Sequence, residues 1–265
     1  MNTIQTIILA IVEGITEFLP ISSTAHMKIA NHFIGVVDNS PFVNMFEVVI
    51  QLAAILSVVV IYWKKFFDFS RAGLYIKLII ALIPALIIGF FLKKYIEHVL
   101  ENLTFISCVM VGGGIILLFI DNIFKNPLIS EEKKINNKQS FIIGCFQTLS
   151  IILPGFSRSA ATIIGGMSQK LTISLAAEFS FLLAVPTMVA ASVKSFYDLY
   201  KEHPETINSS NMSTLALGSV VSFIVALIAV KFLIEYLQKH GLKVFGYYRI
   251  IAGLAIIVML YLKII

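Results

Sequence analysis

The stretch EGITEFLPISSTAH, residues 13–26, places two carboxylates, a proline, a Ser-Ser-Thr run and an imidazole inside an otherwise apolar part of the chain. Its meaning depends on what surrounds it. The protein has 265 residues, 58% of them hydrophobic and only 13% charged, where an ordinary soluble domain carries about 25%. Mean hydropathy is +0.92. Leu103 to Ile120 and Thr206 to Val230 contain no Asp, Glu, Lys or Arg, and either can cross a hydrocarbon core of roughly 30 Å as a helix. The composition therefore predicts an all-α integral membrane protein, and the polar cluster at 13–26 becomes an intramembrane feature.

Six full spans are expected at about 42–64, 75–95, 104–124, 171–193, 213–237 and 247–264. Two further apolar regions, 1–35 and 139–169, are each broken in the middle, at Pro20-Ile21-Ser22-Ser23-Thr24 and at Pro154-Gly155-Phe156-Ser157-Arg158-Ser159. A broken helix leaves backbone N–H and C=O groups unpaired, at several kcal/mol each, unless protein or a wet cavity encloses the break. Two re-entrant helical hairpins whose breaks face inward fit these regions better than spans.

Charge in the connections sets the orientation. Residues 64–77 hold Lys64, Lys65, Arg71 and Lys77; 125–138 hold Lys125, Lys133, Lys134 and Lys138; 239–249 hold Lys239, Lys243 and Arg249. All three are expected on the cytoplasmic side, with the neutral or slightly acidic 93–102 and 194–212 outside. The start of the chain lacks a basic leading region, so a retained N-terminus is expected. The formal charge of +5 is spread over these short connections and reads as a topology signal, not as a nucleic-acid surface. Cys108 and Cys145 each sit alone in an apolar run and suggest neither a disulfide framework nor a zinc site.

The two breaks invite an internal comparison. Pairing Pro20 with Pro154 also pairs Leu19 with Leu153, Ser23 with Ser157 and Glu13 with Gln147. Identity is low, but each half holds one broken hairpin and three spans in opposite predicted orientation. The reading is a single membrane domain over 1–265, an inverted-topology repeat with one copy at about 1–125, a cytoplasmic linker at about 126–138 and a second copy at about 139–265, the breaks meeting where such folds place their sites.

The polar residues suggest chemistry. Glu13 and Glu17 are four apart and share a helix face; carboxylates so close favour a shared proton, a bound cation or a basic partner. Arg158 is the one charged side chain between Lys138 and Lys170, and a charge at the centre of a span costs roughly 2.5–3.5 kcal/mol unless it is paired or serves a ligand. Arg158 opposite the Glu13 and Glu17 face is the obvious pairing, and a purely structural ion pair is the plain alternative. Around it, Gly155 allows close backbone approach, Ser157, Ser159 and Thr162 offer hydroxyls, and the following helix presents free N–H groups, a combination suited to an oxyanion such as phosphate. An N-cap role for Ser157 or Ser159 is compatible with that use. Ser23 and His26 lie one helical turn apart, so the imidazole can reach the hydroxyl as base to nucleophile, although a serine and a histidine at that spacing also arise as a cap and by chance. The remaining histidines form no HExxH pattern, which argues against catalytic zinc.

At this point the residues resemble a known family. EGITEFLPISSTAH at 13–26 and PGFSRSAAT at 154–162 look like the two signature motifs of the bacitracin-resistance type undecaprenyl-diphosphatases, and FEVVIQLAAIL at 46–56 and AAEFSFLLAVP at 176–186 match in kind and order. The resemblance implies an integral membrane hydrolase that removes the terminal phosphate of a polyprenyl diphosphate lipid, returning undecaprenyl phosphate to envelope synthesis, in the plasma (inner) membrane with its active site open to the outer face. By position it implies an acidic motif at Glu13 and Glu17, a nucleophile at Ser23, the histidine at His26 and a phosphate-binding arginine at Arg158; joined to the reading of the residues, this has Ser23 attack the phosphorus, His26 or Glu17 handle protons, Arg158 with Thr24, Gly155, Ser157, Ser159 and Thr162 surround the phosphate, and Glu13 and Glu17 stand as candidate ligands of a divalent cation, Mg2+ or Ca2+, with direct attack by water as the rival mechanism. No organic cofactor is expected. The oligomeric state is left open, a homodimer included.

Two other classes remain to be weighed. Inverted repeats with broken helices are typical of secondary transporters, and Glu13, Glu17, Glu47 and Glu178 could carry protons or cations; a lipid-carrier flippase is a variant of that reading. A type-2 phosphatidic acid phosphatase is disfavoured because its histidine-bearing signature is missing after Ser157-Arg158.

Overall fold

The computed structural model describes residues 1–37, 40–68, 72–100 and 102–265, the side chains of Lys93, Lys94 and Glu97 excepted. Among them the chain forms α1 (Thr3–Thr16), α2 (Ser23–Phe33), α3 (Pro41–Ile61), α4 (Trp63–Phe66), α5 (Ala72–Phe91), α6 (Lys93–Leu100), α7 (Leu103–Ile123), α8 (Asn137–Ile152), α9 (Arg158–Ser168), α10 (Ile173–Glu202), α11 (Ser209–His240) and α12 (Lys243–Tyr261). Six of them, α3, α5, α7, α10, α11 and α12, are long and apolar enough to cross a membrane. They match the six expected spans in order and place, and the protein is an all-α, multi-pass membrane protein. Large apolar side chains such as Ile79, Phe90, Phe119, Ile228 and Ile251 point outward, as a lipid-facing surface requires.

Two connections differ from expectation. The segment 194–212, read as an outer loop, is helical as far as Glu202, because no Gly or Pro lies between Pro186 and Pro204 to stop α10; His203, just before Pro204, is driven out of the helical region by the proline ring. The segment 93–102 likewise contains α6. Arg71 and Glu101, counted among the connection charges, lie outside the described residues.

The broken regions fold as two packed helix pairs, α1 with α2 and α8 with α9. Their open ends are tied alike: Asn2 and Gln5 form a capping box at the start of α1, as Asn136 and Gln139 do at α8, and Nε2 of Gln5 donates to the Ile34 carbonyl at 3.0 Å as that of Gln139 does to Gln169 at 3.1 Å. The caps past each break also correspond, but they are Ser22 and Ser157, with φ 75° and 74°, not Ser23 and Ser157. Ser22 is two residues past Pro20 and Ser157 three past Pro154, so one extra residue after the second proline shifts the register.

The pairs enter from opposite ends of the bundle. The end holding 125–138 carries the mouth of α8–α9, where the N–H groups of Leu128 and Ile129 meet the Lys170 carbonyl. At that end Lys65 pairs with Glu178 and Glu132, and Lys77 donates to the carbonyls of Glu132 and Lys133. The mouth of α1–α2 lies at the other end, where Val36, Val43 and Leu199 share one cluster. Close backbone contact fixes each pair against a span: the Cβ that Gly144 lacks would strike the Ala81 backbone of α5, and that of Gly14 the Ser222 carbonyl of α11, the small-residue packing that substitutes for a hydrophobic driving force in lipid.

Arg249 corrects the reading of it as a connection charge. Lys243 begins α12 and places Arg249 almost two turns inside, fully buried.

Candidate active site

The tips of the two helix pairs meet. Ser159 Oγ, in the first turn of α9, donates to the Leu19 carbonyl in the first break at 3.1 Å, and Nη2 of Arg158 reaches Oε1 of Glu17 at 3.0 Å. Between the tips opens a cavity of about 690 Å³, whose polar wall includes Glu17, Ser23, Thr24, Gln51, Gln147, Ser157 and Arg158.

Glu17 stands at its centre. Its Oε2 accepts from the Ser23 hydroxyl at 2.9 Å and from Gln51 Nε2 at 3.0 Å, while Arg158 occupies Oε1. Three donors satisfy a carboxylate that is only 3% exposed, without which burial of the charge would be costly. Arg158 also donates through Nη1 to the Ser180 carbonyl at 3.3 Å; its Nε and the Nε2 of Gln147 are buried without a hydrogen-bond partner among the described residues. Both residues line the cavity, but these two nitrogens are themselves buried behind its surface.

The backbone contributes in the same sense. Helices α2 and α9 both start at this cavity, and their caps Ser22 and Ser157 line it too. Two helix N-termini converging on one space favour an anion there. The left-handed conformation of each cap, a non-glycine strain of order 1–3 kcal/mol, turns the chain sharply enough for the second helix to begin where the first ends.

Behind the breaks lies Arg249, which the sequence reading missed. Its Nη1 donates to the carbonyls of Phe156 at 2.6 Å and Pro20 at 3.1 Å, its Nη2 to Gly155 at 2.9 Å and its Nε to Met110 of α7 at 3.2 Å. One cation thus satisfies freed carbonyls of both breaks, the polar debt that a broken helix incurs in lipid. Because a trans peptide directs its C=O and N–H oppositely, anchoring the Phe156 carbonyl on Arg249 turns the Ser157 N–H away from it. Gly113 makes the room: a Cβ there would strike the guanidinium. The Gly-Gly-Gly run at 112–114 was the available sign of this hollow.

Other expected residues are placed differently. His26 is within one turn of Ser23 but turned aside: its Nδ1 meets the Ser22 carbonyl and its Nε2 the Tyr248 hydroxyl, both at 2.7 Å, with the rings stacked. Ser159 and Thr162 are fully buried in the wall behind the cavity; Thr162 donates to the Arg158 carbonyl at 2.9 Å and pairs with Ser180. Gly155 borders the cavity, yet its missing Cβ serves the approach to the Ile106 backbone of α7, at φ 98°. Glu13 is buried one turn behind Glu17, its Oε1 without a hydrogen-bond partner among the described residues.

Among the described residues no three His, Cys, Asp or Glu side chains gather as a metal cage. Among the described residues Glu17 is the one acidic side chain bordering the cavity. A single carboxylate suits an ion such as Mg2+ that keeps several waters and takes its other ligands from a phosphate.

Fold and site together define a multi-pass helical membrane protein with a polar cavity between two helix breaks. Residues 6–255 match the family described as bacitracin resistance protein BacA, and the chain belongs to that family. It is 51% identical over 260 residues to an undecaprenyl-diphosphatase of Flavobacterium johnsoniae, covering 98% of this chain and 96% of that one. It is 47% identical over 276 residues to the undecaprenyl-diphosphatase of Porphyromonas gingivalis, covering 98% and 97%. The Aquifex aeolicus undecaprenyl-diphosphatase is 44% identical over 257 residues, covering 96% and 97%.

Proposed function

We propose that this protein is a membrane phosphatase that hydrolyses undecaprenyl diphosphate to undecaprenyl phosphate and inorganic phosphate, recycling the lipid carrier for envelope synthesis and conferring resistance to bacitracin. Relatives of that printed name match over nearly the whole chain. The observation that carries the site assignment is the hydrogen bond from the Ser23 hydroxyl to Glu17, within a cavity that also presents Arg158.

In this mechanism the terminal phosphate enters between the two helix N-termini, with Arg158, Ser157, Thr24 and nearby N–H groups holding its non-bridging oxygens. Binding draws Arg158 from Glu17 toward the phosphate, and the carboxylate is left to take the Ser23 proton. The Ser23 oxygen bonds to the terminal phosphorus as the bridging P–O bond breaks, and undecaprenyl phosphate leaves with that oxygen. Water then attacks the phosphoserine as its bond to the Ser23 oxygen breaks; the proton held by Glu17 returns to that oxygen, the water's hydroxyl leaves in inorganic phosphate and its other proton passes to solvent, so that Glu17 is again a carboxylate. Glu17 is preferred to His26 as base because the serine hydroxyl points to the carboxylate. A divalent cation bound by Glu17 would supply neutralisation of phosphate charge. Glu13 would steady Glu17 from one turn behind.

The two helix pairs act as re-entrant hairpins of an inverted repeat in the plasma membrane. With the basic connections cytoplasmic, the cavity opens outward, since it is lined by the later halves of α5 and α10. One chain supplies every residue used, so a homodimer is not needed for catalysis.

The test is phosphate release from undecaprenyl diphosphate by purified protein in detergent, with Mg2+ present. Turnover is expected for the parent and near-complete loss for Arg158→Ala with folding intact. No release by the parent would sink the assignment.

A further inference from the structure

Tyr248 and Arg249 are neighbours on α12, and both reach the helix breaks. Arg249 holds carbonyls of the two breaks directly. Tyr248 reaches Ser22, the cap of α2, through an intermediary. Its hydroxyl meets Nε2 of His26 at 2.7 Å, the two rings lie within 11° of parallel, and Nδ1 of His26 meets the Ser22 carbonyl at 2.7 Å. A backbone carbonyl only accepts, so Nδ1 carries a proton, and in the neutral ring Nε2 accepts from the Tyr248 hydroxyl. The imidazole then has no lone pair left for Ser23, whose own hydroxyl points to Glu17; as imidazolium it would have none either. His26 is thus a link between α12 and the first break, and not a base facing the cavity.

We infer that Tyr248 is a positioning residue for the phosphatase reaction: through His26 it holds the Ser22 carbonyl and so aims the Ser23 N–H at the phosphate. The inference rests on the phosphatase reading and adds to it a further residue and a role for the imidazole. The Ser22 carbonyl also accepts from the His26 backbone N–H at 3.4 Å, long for a hydrogen bond, so the ring nitrogen makes the closer of these two contacts. Because the C=O and N–H of a trans peptide are opposed, a carbonyl drawn along α2 sends the Ser23 N–H back out of the helix start. The first N–H groups of a helix have no partner within it, and Ser22, Ser23 and Thr24 line the cavity there. The second break is arranged alike, Arg249 anchoring the Phe156 carbonyl while the Ser157 N–H turns the opposite way. Two consecutive residues of α12 therefore align one amide donor in each break. The conformation that the link restrains, φ 75° at Ser22, is one that persists in a serine only where neighbours hold it.

Tyr248→Phe removes one hydroxyl from a side chain that is 43% exposed, and Tyr247→Phe, at the neighbouring exposed tyrosine, is the control. On undecaprenyl diphosphate in detergent with Mg2+, Tyr248→Phe is expected to lower kcat about tenfold with KM within about threefold, less than the 10²–10³ that follows outright removal of an oxyanion donor. Tyr247→Phe should stay within about twofold of the parent. A double variant separates positioning from a general loss of stability: because Tyr248 acts only through the imidazole, adding Tyr248→Phe to His26→Ala should slow turnover by no more than about a further twofold. Effects that multiply, or a Tyr248→Phe protein with kcat within about twofold of the parent, overturn the proposal. The arm that needs no turnover is nitrogen NMR of histidine-labelled protein at mildly alkaline pH, with His26 identified by the signals missing in His26→Ala. The parent is expected to carry the proton on Nδ1, and in Tyr248→Phe the Nε2 resonance should move downfield as it loses its donor. A parent with the proton on Nε2, or an Nε2 resonance that ignores Tyr248→Phe, refutes the link. Absence of hydrolysis by the parent would instead defeat the phosphatase reading, which separates the two failures.

Discussion

Arg249 donates to the Phe156 carbonyl at 2.6 Å while the same nitrogen also reaches Pro20, so a residue outside both breaks fixes the distance between them. Arg249→Met removes four donors from buried carbonyls and is expected to cost about 3–5 kcal/mol, the range for breaking a buried charged network. Thermal unfolding in detergent measures it. Arg249→Lys, whose ammonium cannot reach four carbonyls in a planar fork, should recover part of the stability but little of the activity. A fully active Arg249→Met would show that the breaks hold their spacing without it.

Ser23→Ala should lower kcat by about a thousandfold or more with KM changed only a few-fold, since the hydroxyl acts in the transition state and not as a main binding group. Retention of most of the turnover would transfer the attack to water.

Glu17→Gln keeps the size of the side chain but removes the proton acceptor and the partner of Arg158. The expected fall in kcat is about 10²–10⁴-fold, and the unfolding temperature should fall as well, because the single amide oxygen can meet Arg158 or the Gln51 and Ser23 donors but not both, and Arg158 loses its buried counter-charge. If His26→Gln alone abolished turnover while Glu17→Gln did not, the proton would belong to the imidazole.

Gly155→Ala forces a side chain into a left-handed backbone and onto the Ile106 carbonyl. The strain is expected to exceed about 1–3 kcal/mol, read as a lowered melting temperature, with activity lost alongside.

Lys65 clips the basic end of the bundle. Burial alone would lower its pKa, but the hydrogen bonds to Glu178 and Glu132 outweigh it and hold the ammonium above its ordinary range. A raised pKa means that this contribution is fully present below the ordinary lysine value and fades only as pH climbs through the raised one. Lys65→Met should thus lower stability by about 1 kcal/mol, allowing for partial exposure, and equally at pH 6 and pH 9. A loss seen only at one of those values would contradict the pairing.

Much of this was legible in the chain itself. Spans such as 104–124 announce themselves through length and hydropathy, and Pro20 and Pro154 beside hydroxyl runs mark the breaks. What hydropathy cannot supply is the direction of a side chain. Ser23 and His26 share a helix turn, yet Tyr248 captures the imidazole from a span more than two hundred residues later. Ser157 and Thr162 carry the same group in one motif, and only the first faces the cavity because the second lies one turn further, against Ser180. Gln51 and Gln147 look unremarkable in sequence; their value comes from neighbours on other helices. Arg249 was hidden by averaging, since one cation near the start of an apolar segment passes for a flanking charge. The end of α10 was missed for a different reason: a window tuned to lipid thickness stops where polarity returns, although nothing there stops a helix.

The placement of Arg249 has a consequence for how the molecule is made. Ribosomes deliver the chain from its N-terminus, so Pro20, Gly155 and Phe156 all emerge long before the guanidinium that will bind them. A nascent polypeptide lacking α12 carries every reacting group but only the direct contacts of Ser159 with Leu19 and of Arg158 with Glu17 to hold their spacing, and it should gain full activity only when that helix inserts.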